Sequence, residues 1–153
     1  MSEHILDMTA YCGLVCSDCI RYRGELTDTA RSLLSILEKR DFHHYAAVKM
    51  KYEHVFEQYP IFVDVLKAIT ELECRQSCRK GGGCSSFACP IIECCIEKQY
   101  QGCWECEQLD NCDRFDFLKP FHGDTPKNNC NEIHNNGFTN FALIKHPFYV
   151  WGK

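Results

Sequence analysis

The spacing of the cysteines constrains this chain more than any other feature. Thirteen cysteines occur in 153 residues, and they are not spread evenly. Cys12, Cys16 and Cys19 come early as Cys-x3-Cys-x2-Cys, nine more fall between Cys74 and Cys112, and Cys130 stands alone. The first residues, Met-Ser-Glu-His-Ile-Leu-Asp, have no basic stretch followed by an apolar run. No segment reads as long and apolar enough to span a membrane, so a cytoplasmic location is expected. Disulfides are disfavoured in a reducing compartment, and clustered cysteines there read as thiolate ligands for metal.

Charge narrows the partners. The formal net charge is −4 with every cysteine counted as neutral. Thiolates that bind metal lose their protons, so a zinc held by four of them carries about −2. Nucleic acid is disfavoured as a partner, because phosphate binding needs clustered Lys and Arg. Arg75, Arg79 and Lys80 beside Gly81, Gly82 and Gly83 are the one basic cluster. No Gly-Lys-Ser/Thr ending follows them, so they are read as a solvated loop whose charge offsets nearby thiolates.

The expected fold is mainly α: a small helical domain with a Cys-rich, metal-stapled, loop-rich second half. One domain is expected over residues 1–153. Its parts are an N-terminal Cys segment (12–24), a helical core (28–73), a Cys-rich region (74–124) and a C-terminal helix with an aromatic tail (125–153). In the helical core, Ala30, Leu33, Leu34 and Leu37 repeat at helical spacing behind Thr27 or Asp28 as N-cap. A second helix follows Asp41, with Tyr45, Val48, Tyr52, Val55 and Phe56 on one side. Pro60 suits the first turn of a third, which carries Phe62, Val65, Leu66, Ile69 and Leu72. These three are expected to pack without metal.

The Cys-rich region has few large aliphatic residues, so metal would replace much of its core. Ile91, Ile92 and Ile96 mark a short helix from Pro90. Thr125 and Pro126 read as N-cap and first position of a last helix, with Ile133 facing inward and Gly137 as its stop. The tail from Phe138 to Trp151 is expected to pack back on the helices.

Each cysteine group has a competing reading. Cys-x3-Cys-x2-Cys also occurs in radical S-adenosylmethionine enzymes, but the α/β barrel that motif needs does not follow here. Cys103-Trp-Glu-Cys106 suits a metal-binding turn, with Cys112 six residues on, and the βαβ setting of a redox Cys-x2-Cys is missing. Cys89 precedes Pro90 and shares a metal with Cys94 only if it lies outside the helix. Cys95 and Cys130 read as buried thiols, and Cys74 and Cys78 as ligands or plain thiols alike.

The order Cys-Gly-Leu-x-Cys-x-x-Cys, a helical middle, Gly-Cys, Cys-x4-Cys and Cys-x-x-Cys-x5-Cys resembles domain-of-unknown-function family 3795. The resemblance runs from Cys12 to the region of Gly137. Its pattern falls on Cys12, Gly13, Cys16, Cys19, Gly83, Cys84, Cys89, Cys94, Cys103, Cys106 and Cys112. The family comprises small bacterial and archaeal proteins taken to bind zinc, so the resemblance implies a metal protein and brings no established reaction. This chain departs where a second cysteine close before Cys84 is expected, and Cys78 is the residue that stands nearest.

Other residues add little. His43, His44 and His54 read as solvated, and His146 as packed in the tail. His122 or His134 would complete a site of three cysteines and one histidine. Glu93, Glu97, Glu105 and Glu107 surround the cysteines, as carboxylates near a catalytic zinc would, and as surface carboxylates of short helices also do.

The reading is thus a zinc-binding protein of unknown cellular role with structural thiolate sites and about two Zn2+ per chain. The ligands are Cys12, Cys16, Cys19, Cys84, Cys89, Cys94, Cys103, Cys106 and Cys112. One site joins Cys12, Cys16 and Cys19 with a cysteine of the second cluster. The other joins Cys103 and Cys106 with partners from Cys89, Cys94 and Cys112. An iron–sulfur redox protein is the alternative, and an enzyme with an open zinc site is a third reading. The partner, whether a protein or a small molecule, is not identifiable from the residues.

Overall fold

In a computed structural model of the chain, residues 2–83, 88–141, 143 and 146–152 are described. Cys84 lies outside them, so its expected role as a ligand has no structural counterpart here. Among the described residues there are seven α-helices and no β-strand, with one isolated antiparallel bridge between Thr9 and Val15. The helices are α1 (Ser2–Met8), α2 (Glu25–Lys39), α3 (Phe42–Lys49), α4 (Tyr59–Thr70), α5 (Pro90–Glu97), α6 (Lys119–His122) and α7 (Thr125–Phe141). The chain divides into two compact units, Arg23–Arg75 in one and Met1–Tyr22 with Gln76–Lys153 in the other.

The Arg23–Arg75 unit contains the expected helical middle. α2 starts earlier than the side-chain pattern predicts, because Gly24 takes a left-handed conformation and its carbonyl receives the Asp28 N–H at 2.7 Å. The Thr27 hydroxyl donates to the same carbonyl at 3.1 Å, so it braces the first turn instead of capping it. α2 packs along α4, and Ala30 and Leu66 are buried. Arg31 on α2 reaches Glu73, just beyond α4, at 2.5 Å. Pro60 does sit in the first turn of α4.

The second helix is shorter than expected. α3 ends at Lys49, and Lys51 and Tyr52 then bond back to Val48 and Lys49 in tight turns. A 3-10 turn follows over His54–Gln58. Three-residue turns rotate side chains out of the 3.6-residue register, so Tyr52, Val55 and Phe56 do not continue the α3 face. Tyr52 is 80% exposed and Val55 71% exposed.

The other unit has a core of its own. Ile91, Cys95, Cys103, Trp104, Leu109, Phe115, Leu118, Cys130, Ile133 and Phe141 are buried together. The Cys-rich stretch draws its missing apolar volume from residues after Cys112 and from its own thiols, which pack as small hydrophobes. α5 begins at Pro90 as expected, and Ile133 is buried on α7. Gly137 breaks the helical geometry inside α7 with φ 71° and ψ 168°. The Thr125 hydroxyl does not cap α7 but donates to the Pro147 carbonyl at 2.8 Å, and the Asp124 carbonyl receives the Asn128 N–H.

Part of the tail packs back as expected, while Leu143, Val150 and Trp151 are exposed. The Val150 N–H donates to the Phe121 carbonyl, and Tyr149 stacks between His122 and Trp151. No helix among the described residues is long and apolar enough to cross a membrane.

Candidate metal centre

Two short turns present cysteines in the same way. Cys16–Asp18 and Cys103–Glu105 are 3-10 turns in which the N–H of Cys19 bonds to the Cys16 carbonyl and that of Cys106 to the Cys103 carbonyl. Each turn holds the two cysteines of a Cys-x2-Cys segment within one turn of backbone, the spacing that thiolate ligands of one metal use. Glycine shapes the second turn: a Cβ on Gly102 would fall 2.3 Å from the Trp104 ring. Trp104 is buried, packs edge-on against Phe138 and accepts the His134 Nδ1–H at its carbonyl at 2.8 Å.

Beside this turn lies a cavity of about 20 Å³, lined by Cys94 and Cys95 of α5 and by Cys103, Cys106 and Cys112, with Ile91, Tyr100, Leu109 and Phe115 around them. That volume accommodates about one water-sized body. Five of the residues that line this space are cysteines, and thiolates are soft donors, which suit zinc or iron over magnesium or calcium. Cys89 is the N-cap of α5, outside the helix, and packs against the core.

The inner thiols are closely paired. Cys95 Sγ and Cys103 Sγ are 3.6 Å apart. Either thiol can donate in this contact; it holds the Cys95 thiol down against burial, while the same contact and burial push the Cys103 thiol up. Burial pushes Cys130 up. Cys130 is wholly buried and Cys95 nearly so, as expected of these two thiols.

The N-terminal cysteines are held from several directions. Gly13 has φ +83°, and a Cβ there would lie 2.9 Å from Cys130 Sγ and 3.0 Å from the Pro126 carbonyl. The Gly13 carbonyl accepts Asn129 Nδ2 at 2.9 Å, so the Cys-Gly-Leu turn is seated on α7. Cys12 packs against the core near Cys103 and Cys130. The Cys78 N–H points at Cys16 Sγ at 3.4 Å, which places Cys78 beside the Cys16–Cys19 turn. The Tyr149 hydroxyl accepts the Ile20 N–H at 3.0 Å and lies 3.7 Å from Cys19 Sγ. Burial pushes the Tyr149 phenol up to about 12.

Arg79 corrects the expected solvated loop. Its Nε donates to the carbonyls of Leu6 and Thr9 at 2.9 and 2.7 Å, and its other arm to the Gln101 carbonyl at 2.6 Å. The guanidinium stacks over Tyr11 at 4.5 Å and reaches Trp104 at 5.4 Å. A lone Arg beside glycines carries no sequence signal for this role, since its acceptors are backbone atoms far away in the chain. Lys80 pairs with Asp7 and holds that carboxyl below its usual range.

The remaining candidates stand apart. His122 Nδ1 donates to the Phe148 carbonyl at 2.6 Å, and burial lowers its pKa. His43, His44 and His54 are exposed, as are Glu93, Glu97, Glu105 and Glu107. Among the described residues no three His, Cys, Asp or Glu side chains form, as they stand, a group that could hold a metal ion. The twelve described cysteines are thiols.

No curated protein and no solved structure matches the chain. A family description does match, over residues 8–117, which takes in every cysteine from Cys12 to Cys112. The chain therefore belongs to the family described as protein of unknown function (DUF3795).

Proposed function

We propose that this is a zinc-binding protein whose thiolate sites are structural. The observation that carries this reading is the cavity of about 20 Å³ ringed by Cys94, Cys95, Cys103, Cys106 and Cys112. Four of these thiols, once deprotonated, satisfy one zinc and leave no open position for a substrate. Small side-chain rotations within the ring are what such a site needs. A second site takes Cys12, Cys16 and Cys19, with Cys78, whose N–H points at Cys16 Sγ, as the fourth ligand. Bound zinc supplies folding energy here, because ligands that are far apart in sequence become joined through it. A cytoplasmic setting follows from the same reading, since thiolates persist where the medium is reducing. The exposed carboxylates around the ring favour this structural role over hydrolysis.

Elemental analysis of anaerobically purified protein tests the proposal. Colourless protein with about two zinc per chain is expected. Brown protein with iron and sulfide would replace this reading with the iron–sulfur alternative.

A further inference from the structure

We propose that Cys95, and not its neighbour Cys94, is the ligand that α5 supplies to the metal in the cysteine-lined cavity, together with Cys103, Cys106 and Cys112. The inference deepens the zinc-binding reading above and rests on it. Both α5 cysteines line the cavity. Adjacent residues on a helix point about 100° apart, so one metal takes one of them. The family pattern that the sequence resembles, with its Cys89-x4-Cys94, selects Cys94.

Geometry selects the other. Cys95 Sγ lies 3.6 Å from Cys103 Sγ. Sulfurs bound to one tetrahedral zinc at about 2.3 Å stand about 3.8 Å from each other. A disulfide would need about 2.05 Å. The pair is thus already set at the separation of two ligands on a common metal. Cys95 is also the inner residue, 1% exposed, whereas Cys94 is only half-buried. Arg79 supplies the third argument. Its half-buried guanidinium is fixed by three backbone carbonyls and the Tyr11 ring, and it reaches the ring of Trp104, the neighbour of Cys103. A four-thiolate zinc carries about −2, and a fixed cation beside it offsets that charge.

Cadmium-113 in place of zinc, read by proton–cadmium correlation, decides between the two on the unaltered chain. Cross-peaks from the Cys95 Hβ protons to the cadmium that also correlates with Cys103, Cys106 and Cys112 are expected. Cross-peaks from Cys94 in their place would overturn the assignment. Zinc content gives a second readout. Cys95→Ser should lose about one zinc per chain, and Cys94→Ser should keep its full complement. If Cys95→Ser folds and keeps all its zinc, the assignment is wrong while the zinc reading stands. If the wild-type chain takes up no metal at all, both are wrong.

Discussion

The backbone N–H of Cys78 points at the sulfur of Cys16 across 62 residues of sequence, at 3.4 Å. An N–H aimed at sulfur favours the thiolate over the thiol, because it is the anion that gains from a donor. The contact gives Cys78 a place beside the N-terminal turn that its sequence spacing left open.

Cys16→Ser and Cys78→Ser should therefore resemble each other. Each is expected to lower zinc from about two to about one per chain by elemental analysis. Cys74→Ser should not, since Cys74 is read as a buried plain thiol. Full zinc retention in Cys78→Ser would separate Cys78 from the site.

Gly13→Ala meets two penalties at once. The left-handed backbone costs a Cβ-bearing residue about 1–2 kcal/mol, and the new methyl presses on Cys130 Sγ. A loss of about 2–4 kcal/mol in denaturant unfolding is expected. Adding Cys130→Ala removes the sulfur, so the double variant should lose about 1 kcal/mol less than the two single losses summed. Strict additivity would show that the sulfur contact does not matter.

Arg79→Lys keeps the charge but loses the planar fork that spans three carbonyls. Charged hydrogen bonds to backbone are worth about 2 kcal/mol, and a fall of that order in unfolding free energy is expected. An unchanged denaturant midpoint would return Arg79 to the solvated loop.

His122 gives the tail a pH dependence. Burial lowers its folded-state pKa below the ordinary 6.5, against a smaller opposing effect of the Phe148 carbonyl. The unfolded or undocked state then binds the proton more readily, so tail docking is fully stabilised above about pH 6.5 and weakens as pH falls toward the folded-state value. Proton NMR titration should give His122 a pKa below the ordinary imidazole value of about 6.5. A value at or above it would mean that the ring is not buried by the tail.

Metal removal should act on one unit. Chelation is expected to speed amide exchange over residues 89–112 while the α2 and α4 amides of the Arg23–Arg75 unit keep their protection. Equal loss in both would contradict the expectation that the helical middle packs without metal.

The sequence was most legible where a single residue type carries a local rule. Pro60 and Pro90 marked helix starts, and Gly137 marked a break, because proline and glycine act on their own backbone. Tyr52 and Val55 misled because periodicity alone does not see the tight turns after Lys49. Thr125 had the chemistry of a cap, yet its hydroxyl found the Pro147 carbonyl, a partner supplied only by tertiary packing. The anchoring of Arg79 and the pairing of Cys95 with Cys103 were invisible for the same reason. Arg79 answers to carbonyls that belong to no motif, and Cys95 is marked only by its distance to Cys103.

The two tryptophans sit in contrasting places. Trp104 is 5% exposed in the cysteine-rich core, and Trp151 is 64% exposed against the Tyr149 ring. Their emission should differ in colour and in access to quenchers. A soluble quencher such as iodide would silence the outer indole and leave the inner one, so the native chain holds its own optical gauge of the cysteine-rich core. A red shift in the protected fraction would report that core opening, without a label and independently of events in the tail.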